Sequence, residues 1–338
     1  MNHRSGLRIG LVDCGYQGGI FAKTIAEGDA MQVTACADPD QVAAEQVASL
    51  SRNAEVYRSV EDLLKGTEVD AVIIATSHAA LYPCALAAIK AVKPVLVEKP
   101  VGLNESEVVQ LEEAAAKYGI CFMSGYSFRY IAAWQKAYEL LQEGAVGEIH
   151  TISARIGVGP MSKGWKAIPE TGGGPMLYVG SHLLDQILWY LADDPVEVCA
   201  DIRYRADTLT DETTTFQIKF ARGTIAQGMV TQTSISGLYH TLDIYGRQGR
   251  LSLQGYGFTY EITVESSAIS DYSNPTRIAI PQVDDLRILM HEPQLAEFAK
   301  AIQEHRQPSC TVGDGRKVLK VIDALFQSDH IGKPVQII

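Results

Sequence analysis

The chain has little of what would commit it to a membrane, a nucleic acid or a metal. No apolar run approaches the roughly 20 residues that a transmembrane helix needs. Residues 1–6 lack the long apolar core of a secretory signal and lead straight into a strand-like run. Basic residues are in the minority: 29 Lys and Arg against 40 Asp and Glu leave a net charge of -11, which argues against a nucleic-acid backbone or an anionic membrane as partner. The six cysteines, Cys14, Cys36, Cys84, Cys121, Cys199 and Cys310, are scattered without a Cys-x-x-Cys pair. They read as free, mostly buried thiols of a reducing cytosol rather than as disulfides or a zinc site, and no cluster has metal-ligand spacing. There is no internal repeat and no low-complexity segment. What is present is a globular composition, 46% apolar and 20% charged, over 338 residues, a length that suggests two domains.

The first third alternates strand and helix signals. Strand-like runs at 7–12, 32–37, near 56, 70–76, 94–98 and 120–123 are separated by helical patterns ending near 25 and at 41–50, 60–64, 79–91 and 105–118. Apolar strands in such alternation imply an α/β fold with a doubly wound parallel sheet. The second half changes character. After helical patterns at 131–142 and 175–191, long alternating runs at 213–220, 224–233 and 241–245 follow one another through glycine-bearing turns, and two helices, 293–305 and 315–328, close the chain. Strands without intervening helices indicate a large open, mostly antiparallel sheet. The change sets a boundary between a domain 1–124 and a domain 125–338.

Between the first strand and its helix runs Asp13-Cys14-Gly15-Tyr16-Gln17-Gly18-Gly19. A dinucleotide fingerprint wants Gly-x-Gly-x-x-Gly, and Gly15 and Gly18 match its second and third glycines. Asp13 stands at the first. Aspartate tolerates a left-handed turn, but its carboxylate must point away from a pyrophosphate. Asp38 ends the second strand, where an acidic side chain accepts from the adenosine ribose hydroxyls and repels a 2′-phosphate; it also suits a helix N-cap, and both roles are compatible. NAD is therefore expected over NADP.

The run Pro94-Val95-Leu96-Val97 closes on Glu98-Lys99-Pro100. A buried parallel strand ending in this way sets a lysine at the sheet edge where ligands bind, placed for proton transfer; the plain alternative is a solvated strand cap. Thr76 and Ser77, after the central strand, share that edge. The expected cofactor contacts are Asp13, Cys14, Gly15, Tyr16, Gln17, Gly18, Asp38, Thr76, Ser77, Glu98 and Lys99.

Taken in order, the partial fingerprint, Val69-Asp70-Ala71-Val72-Ile73-Ile74-Ala75-Thr76, Val97-Glu98-Lys99-Pro100, Gly125-Tyr126-Ser127-Phe128-Arg129-Tyr130, Gly147-Glu148-Ile149 and the segment from Gly172-Gly173-Gly174 to His182 and Asp185 make the chain resemble the glucose–fructose oxidoreductase/inositol dehydrogenase (Gfo/Idh/MocA) family over nearly its whole length. The resemblance implies a Rossmann domain and a C-terminal α/β domain whose open sheet forms subunit contacts, giving a homodimer or homotetramer. It also implies Lys99 as a catalytic or substrate-orienting residue.

The family's glycine-rich helix usually reads Gly-Gly-x-x-x-Asp-x-Gly-x-His. Here His182 is kept and Tyr178 replaces the aspartate, while positions 178, 182 and 185 share one helical face. His182 then serves proton transfer, or is a satisfied core histidine; Tyr178 lines the pocket or donates to a substrate hydroxyl; Asp185 orients His182 or bonds elsewhere. Tyr126, Arg129, Lys163 and Trp165 are secondary candidates for substrate contact, or packing and surface residues. The resulting expectation is a cytoplasmic NAD-dependent oxidoreductase acting on a secondary alcohol of a sugar, cyclitol or related polyol, with Lys99, His182 and Tyr178 catalytic and no metal. The alternatives are a glycosidase-type or eliminative enzyme that uses NAD transiently, and a non-catalytic nucleotide-binding regulator, the latter motivated by Asp13 and Tyr178.

Overall fold

A computed structural model describes residues 6–51, 54–235 and 237–337. The chain divides into two compact units, one running to Ser127 and taking in Arg287–Arg316, the other comprising Phe128–Leu286 and the residues from Lys317 onward. Residues 1–5, read as the lead into the first strand, lie outside the described residues.

In the first unit β1 (Leu7–Val12), α1 (Tyr16–Glu27), β2 (Met31–Ala37), α2 (Gln41–Leu50), β3 (Glu55–Tyr57), α3 (Val60–Gly66), β4 (Ala71–Ile74), α4 (His78–Lys90), β5 (Val95–Glu98), α5 (Glu105–Tyr118) and β6 (Phe122–Gly125) alternate along the chain. The six strands pair in parallel in the order β3-β2-β1-β4-β5-β6. Every residue of β4 and β5 is buried, as strands covered on both faces must be, and their sequences run apolar without alternation for that reason. Strand order reverses between β1 and β4, the switch point where such sheets take ligands beyond their carboxyl ends. Helix starts are chemically marked. Asp40 accepts from the Val42 and Ala43 amides, Ser59 from Asp62 and Asn104 from Glu107, satisfying donors that a first helical turn leaves open.

The remaining elements are α6 (Ala132–Gln142), β7 (Ile149–Gly157), α7 (Ser181–Leu191), β8 (Pro195–Tyr204), β9 (Asp211–Phe220), β10 (Ile225–Thr231), β11 (Tyr239–Gly246), β12 (Gly249–Tyr256), β13 (Thr259–Ser266), β14 (Thr276–Ile278), α8 (Glu292–Gln303), α9 (Val312–Ile331) and β15 (Val335–Gln336). The second unit is built on a nine-stranded sheet ordered β14-β13-β12-β11-β7-β10-β9-β8-β15. It is parallel only between β7 and β10. This is the α/β class with a mostly antiparallel second sheet that the alternating runs imply. Alternation sorts the faces: β9 buries Thr214, Phe216, Ile218 and Phe220 and exposes Thr215, Gln217 and Lys219.

Two features depart from the linear reading. The domain boundary at 124/125 assigns the whole remainder to the second domain, whereas Arg287–Arg316 belongs to the first unit. There α8 lies near α1, and the stretch after it runs beside β6. Gln307 Nε2 donates to Ile120 O (3.1 Å), Ser124 N to Cys310 O (3.0 Å) and Ser124 Oγ to Thr311 O (2.7 Å). These bonds cover the outer edge of β6, a pairing across some 187 residues to which no local pattern points. The second departure is in 175–191, which reads as one helix and in fact opens with a π-turn, Met176–Gly180, before α7. The buried Asp211 carboxylate accepts the Met176 amide (2.9 Å), and Gly174, at φ +104, lies so close to that carboxylate that a Cβ would collide with it. An anchor outside the helix thus sets the winding of its first turn.

The core of the second unit encloses His240. Its ring lies 4.4 Å from Trp134 and 5.8 Å from Phe128, and neither ring nitrogen has a hydrogen-bond partner among the described residues. Burial pushes its pKa from 6.5 down to about 3. The folded chain therefore holds a neutral imidazole that the unfolded chain would protonate, so stability falls as pH drops from about 6.5 toward about 3. His240→Phe removes that proton uptake. The melting temperature of the variant relative to wild type is expected to move upward as pH is lowered from about 7 to about 4; a difference that does not change with pH contradicts this account.

Candidate functional site

The first unit holds the fingerprint loop. Asp13 has φ +79, the left-handed conformation otherwise left to glycine, and its Oδ1 accepts the Gly15 amide (2.8 Å). The carboxylate is thereby turned back on its own loop, and burial pushes its pKa up. A Cβ on Gly18 would fall inside the van der Waals envelope of the Asp13 carbonyl oxygen, so the third glycine is a packing requirement. Asp38 Oδ2 accepts the Cys14 amide (2.7 Å) and Oδ1 the Asp40 amide (2.7 Å). The helix cap is Asp40 rather than Asp38. Helix α1 starts at Tyr16 with no side-chain cap, and the Tyr16 ring is 80% exposed.

Glu98 and Lys99 end β5. The Lys99–Pro100 peptide is cis, and Gly125 lets β6 approach so closely that a Cβ would lie 2.7 Å from Glu98 Cα. Lys99 is half-buried. Its amide donates to the buried Glu98 carboxylate (3.1 Å). Burial raises Glu98 to about 7, against the opposing pull of the Lys99 charge. Gln17 Nε2 donates to Glu98 Oε1 (3.3 Å) and faces His291 Nε2 at 3.3 Å, while His291 Nδ1 meets Gln294 Oε1 at 3.1 Å. This order of donors requires His291 to accept at Nε2 and donate from Nδ1, hence to be neutral. Burial, which pushes it down to about 4, keeps it so. Gln17 and Glu98, both expected to touch the cofactor, thus bond to each other beneath the loop. Thr76 Oγ1 donates to Ser77 O (3.1 Å), and Ser77 precedes α4 without capping it. Tyr126, a secondary candidate for substrate contact or a packing residue, is fully buried.

The second unit carries the remaining candidates. His182 is 5% exposed and stacks on Phe128, ring centroids 4.1 Å apart and 12° from parallel. Tyr178 is half-buried; its hydroxyl accepts from Lys166 Nζ (2.9 Å), and its ring meets Trp165 edge-on at 6.4 Å. Lys163 is exposed, and it is Lys166, which no motif marks, that reaches the phenol. Arg129, a secondary candidate for substrate contact or a packing residue, pairs with Asp185. It is 4% exposed, and its Nε and Nη2 grip the Asp185 carboxylate at 2.6–3.1 Å, with Trp189 stacked 5.5 Å from the guanidinium. A buried aspartate needs a paired cation, and Arg129 is that partner. Tyr178, His182 and Asp185 thus meet three different partners, Lys166, Phe128 and Arg129. Asp211 and His291 were beyond sequence reasoning, since neither sits in a patterned segment.

The fingerprint loop fits a dinucleotide. A glycine packed against the preceding carbonyl and a helix start left open by side chains are what a pyrophosphate resting on α1 requires. Comparison with known proteins agrees. Residues 7–126 match the family model described as oxidoreductase family, NAD-binding Rossmann fold, and residues 134–252 match the GFO/IDH/MocA C-terminal domain. The 1,5-anhydro-D-fructose reductase of Ensifer adhaerens is 29% identical over 290 residues, covering 82% of this chain and 83% of that protein. Two solved structures share the fold: GenD2 from gentamicin A biosynthesis in complex with NAD (TM-score 0.87, 24% identity, 100% of this chain and 98% of that one) and levoglucosan dehydrogenase in complex with NADH (TM-score 0.90, 19% identity, 98% and 99%).

Asp13→Gly tests the loop. Glycine adopts φ +79 without strain, and removing the carboxylate frees the Gly15 amide and takes away an acidic group near the helix start. NAD affinity, measured by calorimetric titration, is expected to hold or rise; a large loss would show that the Asp13 carboxylate contributes directly to binding.

Proposed function

We propose that this chain, which belongs to the GFO/IDH/MocA family of oxidoreductases and has its NAD-binding Rossmann domain, transfers hydride between nicotinamide and a secondary alcohol or ketone of a sugar, cyclitol or related polyol. The observation that carries this reading is Lys99, half-buried at the carboxyl end of β5 in the same unit as the nucleotide loop. The bound cofactor supplies a hydride acceptor or donor at the nicotinamide ring. Lys99 orients the reacting hydroxyl and offsets the negative charge that its oxygen acquires; His182 takes or returns the hydroxyl proton on its imidazole. Tyr178 donates to a substrate oxygen, and the half-buried ring of Trp165 offers a face on which the C–H side of a sugar packs. The names of the reductase and of the levoglucosan enzyme, both acting on anhydrosugars, support this substrate class. Asp38 supports NAD over NADP: an acidic group at the end of β2, with the Cys14 amide on it, meets a 2′-phosphate with like charge.

Two measurements test the reading. In the first, 1,5-anhydro-D-fructose, levoglucosan, myo-inositol and common aldoses are incubated with NAD or NADH and followed by reduced-nicotinamide absorbance. Turnover of at least one is expected, with Lys99→Ala and His182→Ala each lowering kcat by roughly 10²–10⁴-fold and leaving NAD affinity nearly unchanged. Turnover without net change in NADH would favour a transient, eliminative use of the cofactor, and wild-type rates in both variants would remove their assigned roles. In the second, calorimetry is expected to show tighter binding of NADH than of NADPH; equal or tighter NADPH binding defeats the role given to Asp38.

A further inference from the structure

Lys166 lies in the 3-10 turn Gly164–Ala167 and is half-buried. Its Nζ donates to the Tyr178 hydroxyl (2.9 Å) and stands 4.1 Å from the centroid of that ring and 5.7 Å from that of Trp165. Among the described residues no carboxylate pairs with it, and the phenol is its one hydrogen-bond partner. Lysines usually keep the ammonium in water or against a carboxylate. Here a partly desolvated cation rests on a phenol oxygen and two ring faces.

The backbone holds this arrangement in place. Gly174 N donates to Lys166 O (3.1 Å), Gly173 N to Ile168 O (2.9 Å) and Thr171 Oγ1 to Trp165 O (2.8 Å). A Cβ on Gly173 would lie 2.6 Å from Lys166 O, so the glycine run is what lets the 164–168 backbone approach the segment leading to Tyr178. The other titratable groups on or against these elements are Asp211 of β9, bonded to the Met176 amide, His182, Asp185 and Tyr190 on α7, and Lys163 and Glu170, both exposed on the loop.

We propose that Lys166 is a positioning residue that fixes Tyr178 as a directed hydrogen-bond donor to the substrate oxygen that becomes negative during hydride transfer. By donating to the phenol oxygen, the ammonium takes up an acceptor site there and leaves the phenol to act toward substrate through its O–H. Its charge also polarises that O–H, so the bond it makes strengthens as charge develops on the substrate. A lone tyrosine at this position could accept as readily as donate; the lysine selects donation.

The inference rests on Tyr178 belonging to the reacting site, and its first test is independent of turnover. The ultraviolet ionisation of Tyr178 is read as the difference between a protein and its Tyr178→Phe counterpart, both free of cofactor and substrate. With Lys166→Met or Lys166→Gln in the background, that ionisation is expected to move to higher pH by about 1–3 units, the effect of removing an adjacent opposite charge. Lys166→Arg should restore most of it. Thermal melts of each variant identify any that fail to fold, and the glutamine and arginine variants then carry the comparison. An ionisation unchanged by both neutral substitutions overturns the proposal, as does an arginine variant that behaves like the methionine one. On whichever polyol of the panel is turned over, Lys166→Met is expected to lower kcat by roughly tenfold or more with little change in KM; a change in KM alone would assign Lys166 to ground-state binding and reject the proposal. Failure of the polyol reading leaves the ionisation result standing, so the two are separately decided.

Discussion

One carboxylate at the end of β2 gives the nucleotide loop its shape. Asp38 accepts the amide of Cys14 from the turn after β1 and the amide of Asp40 from the turn after its own strand, both at 2.7 Å. Charge-assisted bonds of this kind are among the stronger polar contacts in a fold, and the one to Cys14 ties neighbouring strand ends together just where the sheet opens. The rest of the loop follows from that tie. Asp13 enters the left-handed region and folds its own carboxylate onto Gly15, and Gly18 brings α1 against the Asp13 carbonyl. The result is a helix start with no side-chain cap, reached through a sequence that lacks the first glycine of the usual fingerprint.

Beneath that loop a buried polar chain runs from Glu98 through Gln17 and His291 to Gln294. Its members are pushed in opposite directions by the same cause. Burial raises the carboxyl of Glu98 to about 7 and lowers the imidazole of His291 to about 4, each toward its uncharged form. A neutral His291 with its proton on Nδ1 accepts from Gln17 and donates to Gln294 Oε1, while Gln294 Nε2 meets no acceptor among the described residues. The segment Arg287–Arg316 supplies two of the four residues, so the nucleotide unit is completed by a stretch that follows strands β7 to β14 in the chain.

The second unit uses glycine for a different purpose. In the run Gly172-Gly173-Gly174 the missing side chains admit backbone and carboxylate oxygens, those of Lys166, Ile168 and Asp211. Asp211 then fixes the π-turn, and the turn sets where Tyr178 and His182 start from. Farther along α7, Asp185 is neutralised by Arg129 in a buried, two-pronged pair. The polar residues of this helix are thereby divided between scaffold and site: Asp185 serves the scaffold, while Tyr178 and His182 remain the candidates for chemistry.

The sequence by itself determined the alternation of strands and helices, the parallel and antiparallel characters of the two sheets, the place of the nucleotide loop and the lysine at the end of β5. All of these rest on local rules: side-chain period, turn residues and capping chemistry act over a few positions and can be read there. It left open whether Arg129 contacts substrate or packs, and whether Asp185 orients His182 or bonds elsewhere. The tertiary structure pairs Arg129 with Asp185, partners brought together from afar. Arg129 and Asp185 are 56 residues apart, Gln17 and His291 are 274 apart, and Lys166 meets Tyr178, 12 positions on, where Gly173 and Gly174 admit the oxygens of Lys166, Ile168 and Asp211. A buried charge takes whichever counter-charge the fold delivers, and that delivery is a property of the whole chain path rather than of any motif within it.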